Sequence, residues 1–159
     1  MTKVSVLLAS ILAMSSAAYA QDGGSCANAI PVKDNGVVQV NTAAGTGWIN
    51  NYGPLVSPSN DIVYTFTTTQ ANLSGTITAT ASDYAFAIYV LTSCAAGAGP
   101  TPFAATATLN APISLSLQPT TQYWIAVTGT AGGGAGANGT VAMDVNFIIP
   151  VTLQAFYVE

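Results

Sequence analysis

From Asp61 to Ile149 the chain repeatedly alternates apolar and polar side chains with a period of two, a rhythm that argues against helices and for half-buried strands. Ile62, Tyr64 and Phe66 fall on one side of a run whose other side is Val63, Thr65 and Thr67. Ile113, Leu115 and Leu117 alternate with Ser114, Ser116 and Gln118, and Tyr123, Ile125 and Val127 alternate with Trp124, Ala126 and Thr128. Val141, Met143, Val145, Phe147 and Ile149 face away from Thr140, Ala142, Asp144 and Asn146. Side chains change face at every residue of a strand, so each run predicts a strand with one face in a core. Val37 to Thr42, behind the turn Asp34-Asn35-Gly36, and the Thr-rich Ser74 to Thr80 add two more. Seven or more short strands between turn signals predict an all-β fold, an antiparallel two-sheet β-sandwich in preference to a barrel or a parallel α/β fold.

The run Tyr84 to Leu91 breaks the rule, because Tyr84, Phe86, Ile88 and Val90 oppose Ala85, Ala87, Tyr89 and Leu91. Such a strand is either interior and covered on both faces or exposes an adhesive face, and the small alanines favour the first. Ala95 to Pro102 and Gly129 to Gly139, built almost wholly of Ala, Gly and Pro, read as loops.

Met1 to Ala20 reads as a secretory signal peptide, with Lys3 as its basic n-region, Val4 to Met14 as its apolar centre and Ala18-Tyr19-Ala20 as the small-x-small cleavage site. The apolar run is shorter than the roughly 20 residues of a bilayer helix, so no membrane insertion is expected after cleavage. Cleavage leaves Lys33 as the single basic residue against six acidic ones in a chain only 5% charged. A nucleic-acid partner needs several cations to neutralise phosphates, and anionic lipid attracts the same groups, so both are excluded. Cys26 and Cys94 lie beyond the cleavage site, either as one disulfide or as two buried thiols. Export favours the bridge, worth roughly 4 kcal/mol in the chain-entropy model.

The absence of histidine and arginine removes the commonest general base, the Ser-His and Cys-His pairs, imidazole metal ligands and the guanidinium clamp. Asp61 and Asp83 could supply a two-carboxylate hydrolytic pair, but aspartates at strand starts more often hold turns. Gly134, Gly136 and Gly139 match the dinucleotide pattern, yet a strand follows them where that motif needs a helix N-terminus. The chain is therefore expected not to be an enzyme and to carry no cofactor. A weak calcium site stays open at Asp34-Asn35-Gly36 or Ser59-Asn60-Asp61, which offer oxygen ligands at low carboxylate density.

Four blocks in order carry a family resemblance: Ser25-Cys26-Ala27-Asn28-Ala29-Ile30, then Asn60-Asp61-Ile62-Val63-Tyr64-Thr65-Phe66-Thr67, then Ser82-Asp83 leading to Ala87-Ile88-Tyr89 and Ser93-Cys94, then Tyr123-Trp124-Ile125-Ala126-Val127. Over about residues 25 to 147 the chain resembles the bacterial pre-peptidase C-terminal domain family. The resemblance implies an exported, non-catalytic sandwich of jelly-roll type, paired Cys26 and Cys94, and turns held by Asp61 and Asp83. No peptidase accompanies the domain here, which departs from the usual setting.

These readings divide the chain into a signal peptide (1–20), a sandwich domain (21–147) and a C-terminal strand or tail (148–159). Two kinds of partner are expected for a protein secreted by, or held on the surface of, a bacterium. An extracellular protein or glycan would meet Trp48, Asn50, Asn51 and Tyr52, where rings beside amides suit sugar faces and hydroxyls. Alternatively, copies of the chain assemble into a filament or layer by strand complementation through Val151, Leu153, Phe156, Tyr157 and Val158, beyond the interrupting Pro150. The tail could equally pair within its own sheet.

Overall fold

The computed structural model describes residues 23–32, 35–47, 49–52, 55–56, 59–68, 73–95, 97–99, 102–130 and 137–148, with backbone alone at 49–52, 55–56, 73, 97–99 and 148. The signal-peptide reading at 1–20 thus lies outside the described residues. In chain order the strands are β1 (Ile30–Pro31), β2 (Gly36–Asn41), β3 (Ile49–Tyr52), β4 (Leu55–Val56), β5 (Ile62–Thr67), β6 (Leu73–Ser82), β7 (Phe86–Leu91), β8 (Gly97–Gly99), β9 (Ala104–Thr106), β10 (Ile113–Leu117), β11 (Gln122–Gly129) and β12 (Thr140–Ile148). Among the described residues the only helical turn is the 3-10 turn Thr42–Ala44, started by the Asn41 side chain, which accepts the Ala43 N–H at 3.0 Å.

The fold is all-β, as the alternation predicts. A five-stranded sheet in the order β1-β5-β11-β7-β9 faces a four-stranded sheet in the order β10-β6-β12-β2. Pairing within both is antiparallel except between β1 and β5. The chain changes sheet at most connections: β5 and β6, β6 and β7, β9 and β10, β10 and β11, and β11 and β12 all stand in opposite sheets. Period-two patterning in each of these strands then points one face into a shared core. Ile62, Tyr64, Phe66, Ile88, Tyr123, Ile125 and Val127 of the first sheet meet Ile77, Ile113, Leu115, Leu117, Val141, Met143 and Val145 of the second. Phe66 contacts the Phe147 ring at 4.5 Å, and Gly75 makes room for that ring, since a Cβ there would stand 2.6 Å from it.

One expectation needs correction. Ala95 to Pro102 is not simply a loop, because Gly97–Gly99 forms β8, parallel to β3, and β3 also pairs with β4. Its partner supplies the ladder that an Ala-Gly stretch does not advertise. β12 pairs with β6 up to Ile148 opposite Ser74.

Candidate functional site

Both faces of β7 are buried, which decides between the two readings of that strand. Phe86, Ile88 and Val90 enter the main core, while Ala87, Tyr89 and Leu91 join Val63 and Ala126 in a second apolar cluster on the outer face of the five-stranded sheet. Cys26, Ala29, Cys94 and Trp124 pack against that cluster. The cover is an N-terminal strap. Gly23 accepts the Val63 N–H at 2.7 Å in a conformation (φ +120°) that favours glycine, and Thr46 donates its hydroxyl to the Gly24 carbonyl at 2.6 Å. Further along, β1 joins the sheet beside β5, and the Val32 N–H reaches the Thr65 carbonyl at 2.9 Å. A disulfide between Cys26 and Cys94, with Cα atoms 5.7 Å apart, fastens the middle of the strap. Cys26 and Cys94 are thus paired, as export and the family resemblance led us to expect.

A polar group is gathered at one end of the sandwich. Thr42, Ser59, Asp61 and Thr128 are all buried, and continuing the β5–β11 register by one pair places Thr128 opposite Asp61. Asp61 donates its N–H to the Thr46 carbonyl at 2.8 Å, closing the base of the excursion that carries β3 and β4. Asp83 accepts the Thr140 N–H at 2.7 Å and so ties the β6–β7 turn to the start of β12. Neither aspartate forms part of an acidic group of three or more among the described residues. Of the calcium candidates, Asn35 has its amide committed at both atoms to the main chain of Phe147, and Asp34 lies outside the described residues.

Tyr84 borders this end. Burial is the main reason its phenol titrates above the usual 10.0; the Thr42 hydroxyl opposes the shift, and the carboxylates of Asp83 and Asp61 add to it. Its oxygen is sealed from solvent and makes no hydrogen bond of good geometry; the Thr42 hydroxyl beside it donates to the Gly139 carbonyl and accepts the Gly139 N–H. A phenol whose folded value is raised contributes stability that is complete below the unfolded value and lost as pH climbs through the folded one. Tyr89, raised by burial and then by the Asp61 charge, acts in the same direction. The expected result is flat stability up to about pH 10 and a fall above it. Tyr84→Phe should shrink that alkaline fall and, at pH 7, leave stability unchanged or raise it by up to about 1 kcal/mol, because a buried orphan hydroxyl is removed. Thermal melts of both proteins from pH 7 to 11 test this, and a loss above about 1 kcal/mol at pH 7 would reveal a partner for the hydroxyl.

The third feature is the side of the sandwich where β1 ends one sheet and β2 ends the other. Between them lies a cleft of about 350 Å³ lined mainly by apolar residues, Ile30, Pro31, Val32, Val37, Val38 and Tyr64, with Asn35 and Gly36 at the head of β2. Val37 is 61% exposed beside it, more than Phe103 or Leu109. Sequence reasoning missed this cleft; its signal was the doublet Val37-Val38, which puts an apolar residue on the outward face of a strand otherwise polar there.

Of the predicted contact residues, Asn50, Asn51 and Tyr52 belong to β3, whose backbone lies between β4 and β8, but their side chains, like the whole of Trp48, are outside the described residues. The assembly residues Val151, Leu153, Phe156, Tyr157 and Val158 are also outside them. Trp124, by contrast, is described: it packs on the outer cluster with its Nε1 sealed from solvent and unpartnered.

No family model matches this chain, and no curated protein matches it. Among solved structures, the fold is similar to that of PliG from Aeromonas hydrophila, a periplasmic lysozyme inhibitor of g-type lysozyme, with a TM-score of 0.53 and 13% identity over 76% of this chain and 96% of that one.

Proposed function

We propose that this protein is an exported, non-catalytic β-sandwich module that attaches to a protein or glycan at the cell surface or outside the cell. The observation that carries this reading is the double covering of β7: with both faces of this strand buried, the scaffold is rigid and recognition falls to loops and edges at its rim. The Cys26–Cys94 bond suits an oxidising compartment. The likeness to PliG supports the reading by analogy of fold, since that protein is a periplasmic one that inhibits another protein. We also keep the resemblance to the pre-peptidase C-terminal domain family as our reading of its kind, with the two principal sheets wound as a jelly roll. The strand orders β5-β11-β7-β9 and β10-β6-β12-β2 support that winding.

Our choice of contact surface is the excursion between Thr46 and Asp61, which carries Trp48, Asn50, Asn51 and Tyr52. Its base is closed by the Thr46–Asp61 pair and its strand β3 is held from both sides, so the backbone of Asn50, Asn51 and Tyr52 is fixed before any ligand arrives. The test is a glycan array and a panel of extracellular proteins, g-type lysozyme included, probed with the secreted chain. We expect saturable binding to at least one of them, weakened on the order of tenfold by Trp48→Ala without a change in melting temperature. Binding unaffected by that substitution would move the site elsewhere, and no ligand in either screen would sink the attachment reading.

A further inference from the structure

The main-chain groups at the open side of the sandwich are not equally available. In the parallel β1–β5 pair, Pro31 stands opposite Thr65, and the Thr65 carbonyl is taken by Val32, so Pro31 turns its own main-chain groups outward, where it has no N–H to give. The β1 edge is thereby closed. On β2, Thr42 donates its N–H to the Gly139 carbonyl at 2.9 Å, and the Asn35 amide stands in for a main-chain pair at Phe147. Alternation along an antiparallel ladder then turns the main chain of Gly36, Val38 and Val40 toward β12 and that of Val37, Gln39 and Asn41 away from the sheet. Among the described residues no partner meets that second set. β2 carries no charged residue, no proline and no bulge, the devices that ordinarily keep an edge from pairing. The opposite side of the sandwich is different, because β9 and β10 run directly from one sheet to the other and touch.

The chain leaves β12 at Ile148, next to the Phe147 that Asn35 holds at the head of β2. Two residues then precede Val151, and one of them is Pro150. For residues 151–158 to lie on the outer edge of their own β2, the chain would have to reverse direction and cross two strand spacings, about 9.6 Å. The three virtual bonds from Ile148 to Val151 span at most about 11 Å when straight, too little for the turn and the passage over Asn35, so pairing within one molecule would forfeit Val151 and the residues next to it. The same segment from another molecule meets no such limit.

We propose that residues Val151–Val158 of one copy add as a strand to β2 of a second copy and fill the cleft between its β1 and β2. The segment is uncharged and wholly apolar on one face, Val151, Leu153, Ala155 and Tyr157, while the other carries Thr152 and Gln154 before Phe156 and Val158. One face fills the cleft and the other covers Val37, while main-chain bonds to Val37, Gln39 and Asn41 supply affinity without charged side chains. Each copy offers one segment and one edge that are not the same surface, so the contact is head-to-tail and builds open chains or rings rather than closed dimers. This association is independent of the Trp48 surface, and Trp48→Ala leaves it intact.

The experiment pairs two defective variants of the secreted protein. One lacks residues 151–159 and keeps β2; the other, Val37→Lys, keeps the segment and carries an ammonium on the edge. Since Val37 is exposed, that substitution leaves the melting temperature unchanged. By sizing and negative-stain microscopy the unaltered protein forms chains or rings that grow with concentration, each variant alone is monomeric, and an equimolar mixture of the two forms a one-to-one dimer and nothing larger. A synthetic peptide of residues 150–159 binds the truncated protein and binds a truncated Val37→Lys protein on the order of tenfold less tightly. A monomeric full-length protein at high concentration, the same assemblies after truncation, or a mixture that stays monomeric would each overturn the proposal.

Discussion

Replacing Cys26 and Cys94 together by serine should lower the melting temperature by roughly 10–20 °C, the shift expected when a domain of this size loses about 4 kcal/mol. The first part of that loss is entropic, since a bond between residues 68 apart shortens the unfolded chain's freedom. The second part belongs to the folded state. Cys26 lies in the middle of a strap that is also tied by hydrogen bonds at Gly23, Gly24 and Val32 and by the short β1–β5 pairing, and beneath it are Val63, Ala87, Tyr89, Leu91 and Ala126. Without the bond the strap opens more often and water reaches that apolar face. Calorimetry with and without reductant gives the stability change, and binding of a hydrophobic dye below the melting temperature reports the opened face. A shift of less than about 3 °C would mean that the strap is held by something other than the disulfide.

Tyr123→Ala should be the most damaging single substitution in the core, at about 3–5 kcal/mol, whereas Tyr123→Phe should remove only about 1 kcal/mol. The ring is 1% exposed, stacked on Phe66 with centroids 5.4 Å apart, and tilted against Phe103 at 5.9 Å. Its hydroxyl accepts the Gln118 N–H at 2.9 Å, and the buried Thr68 accepts the Thr121 N–H at 3.0 Å and donates to the Gln118 carbonyl. Together these bonds hold the β10–β11 turn, where Thr120 sits at φ +50°, against the end of β5. Truncation to alanine removes the ring and the turn's anchor at once, while phenylalanine keeps the ring and leaves an N–H at an exposed turn that water can reach. Denaturant titrations of the two variants separate the contributions. Equal losses would place the energy in the hydroxyl rather than in the packing.

The long strands were readable because their side chains must serve two environments at once: Ile113 to Leu117 alternates buried and exposed without exception, and Ile62, Tyr64 and Phe66 all reach the core. β1, β3, β4, β8 and β9 escaped notice because strands of two to four residues are too short to display a period, and Gly97–Gly99 has no side-chain pattern to display. Tyr123 and Trp124 could be assigned to opposite faces from order alone. That Tyr123 takes the core and Trp124 the outer cluster depends on which face meets the second sheet. The candidate surfaces divide in the same way: Trp48 and its neighbours stood out as a local cluster of rings and amides, whereas the β2 edge is an arrangement of Pro31, Asn35, Val37 and Phe147 that no single stretch of chain contains.

What the amino-acid order determined unaided is local and compositional: strands instead of helices, one face of each strand for a core, a pair of cysteines suited to an oxidising compartment, and a scarcity of cations. The tertiary structure alone decided that the second apolar face of β7 is covered by the N-terminal strap, that Asn35 is spent on Phe147, and that β2 ends its sheet beside an apolar cleft. The physical reason is that a period of two states which residues share a face, while covering a face or pairing an edge requires a partner distant in sequence. Cys26 and Cys94, or Asn35 and Phe147, become neighbours only once the sheets have formed.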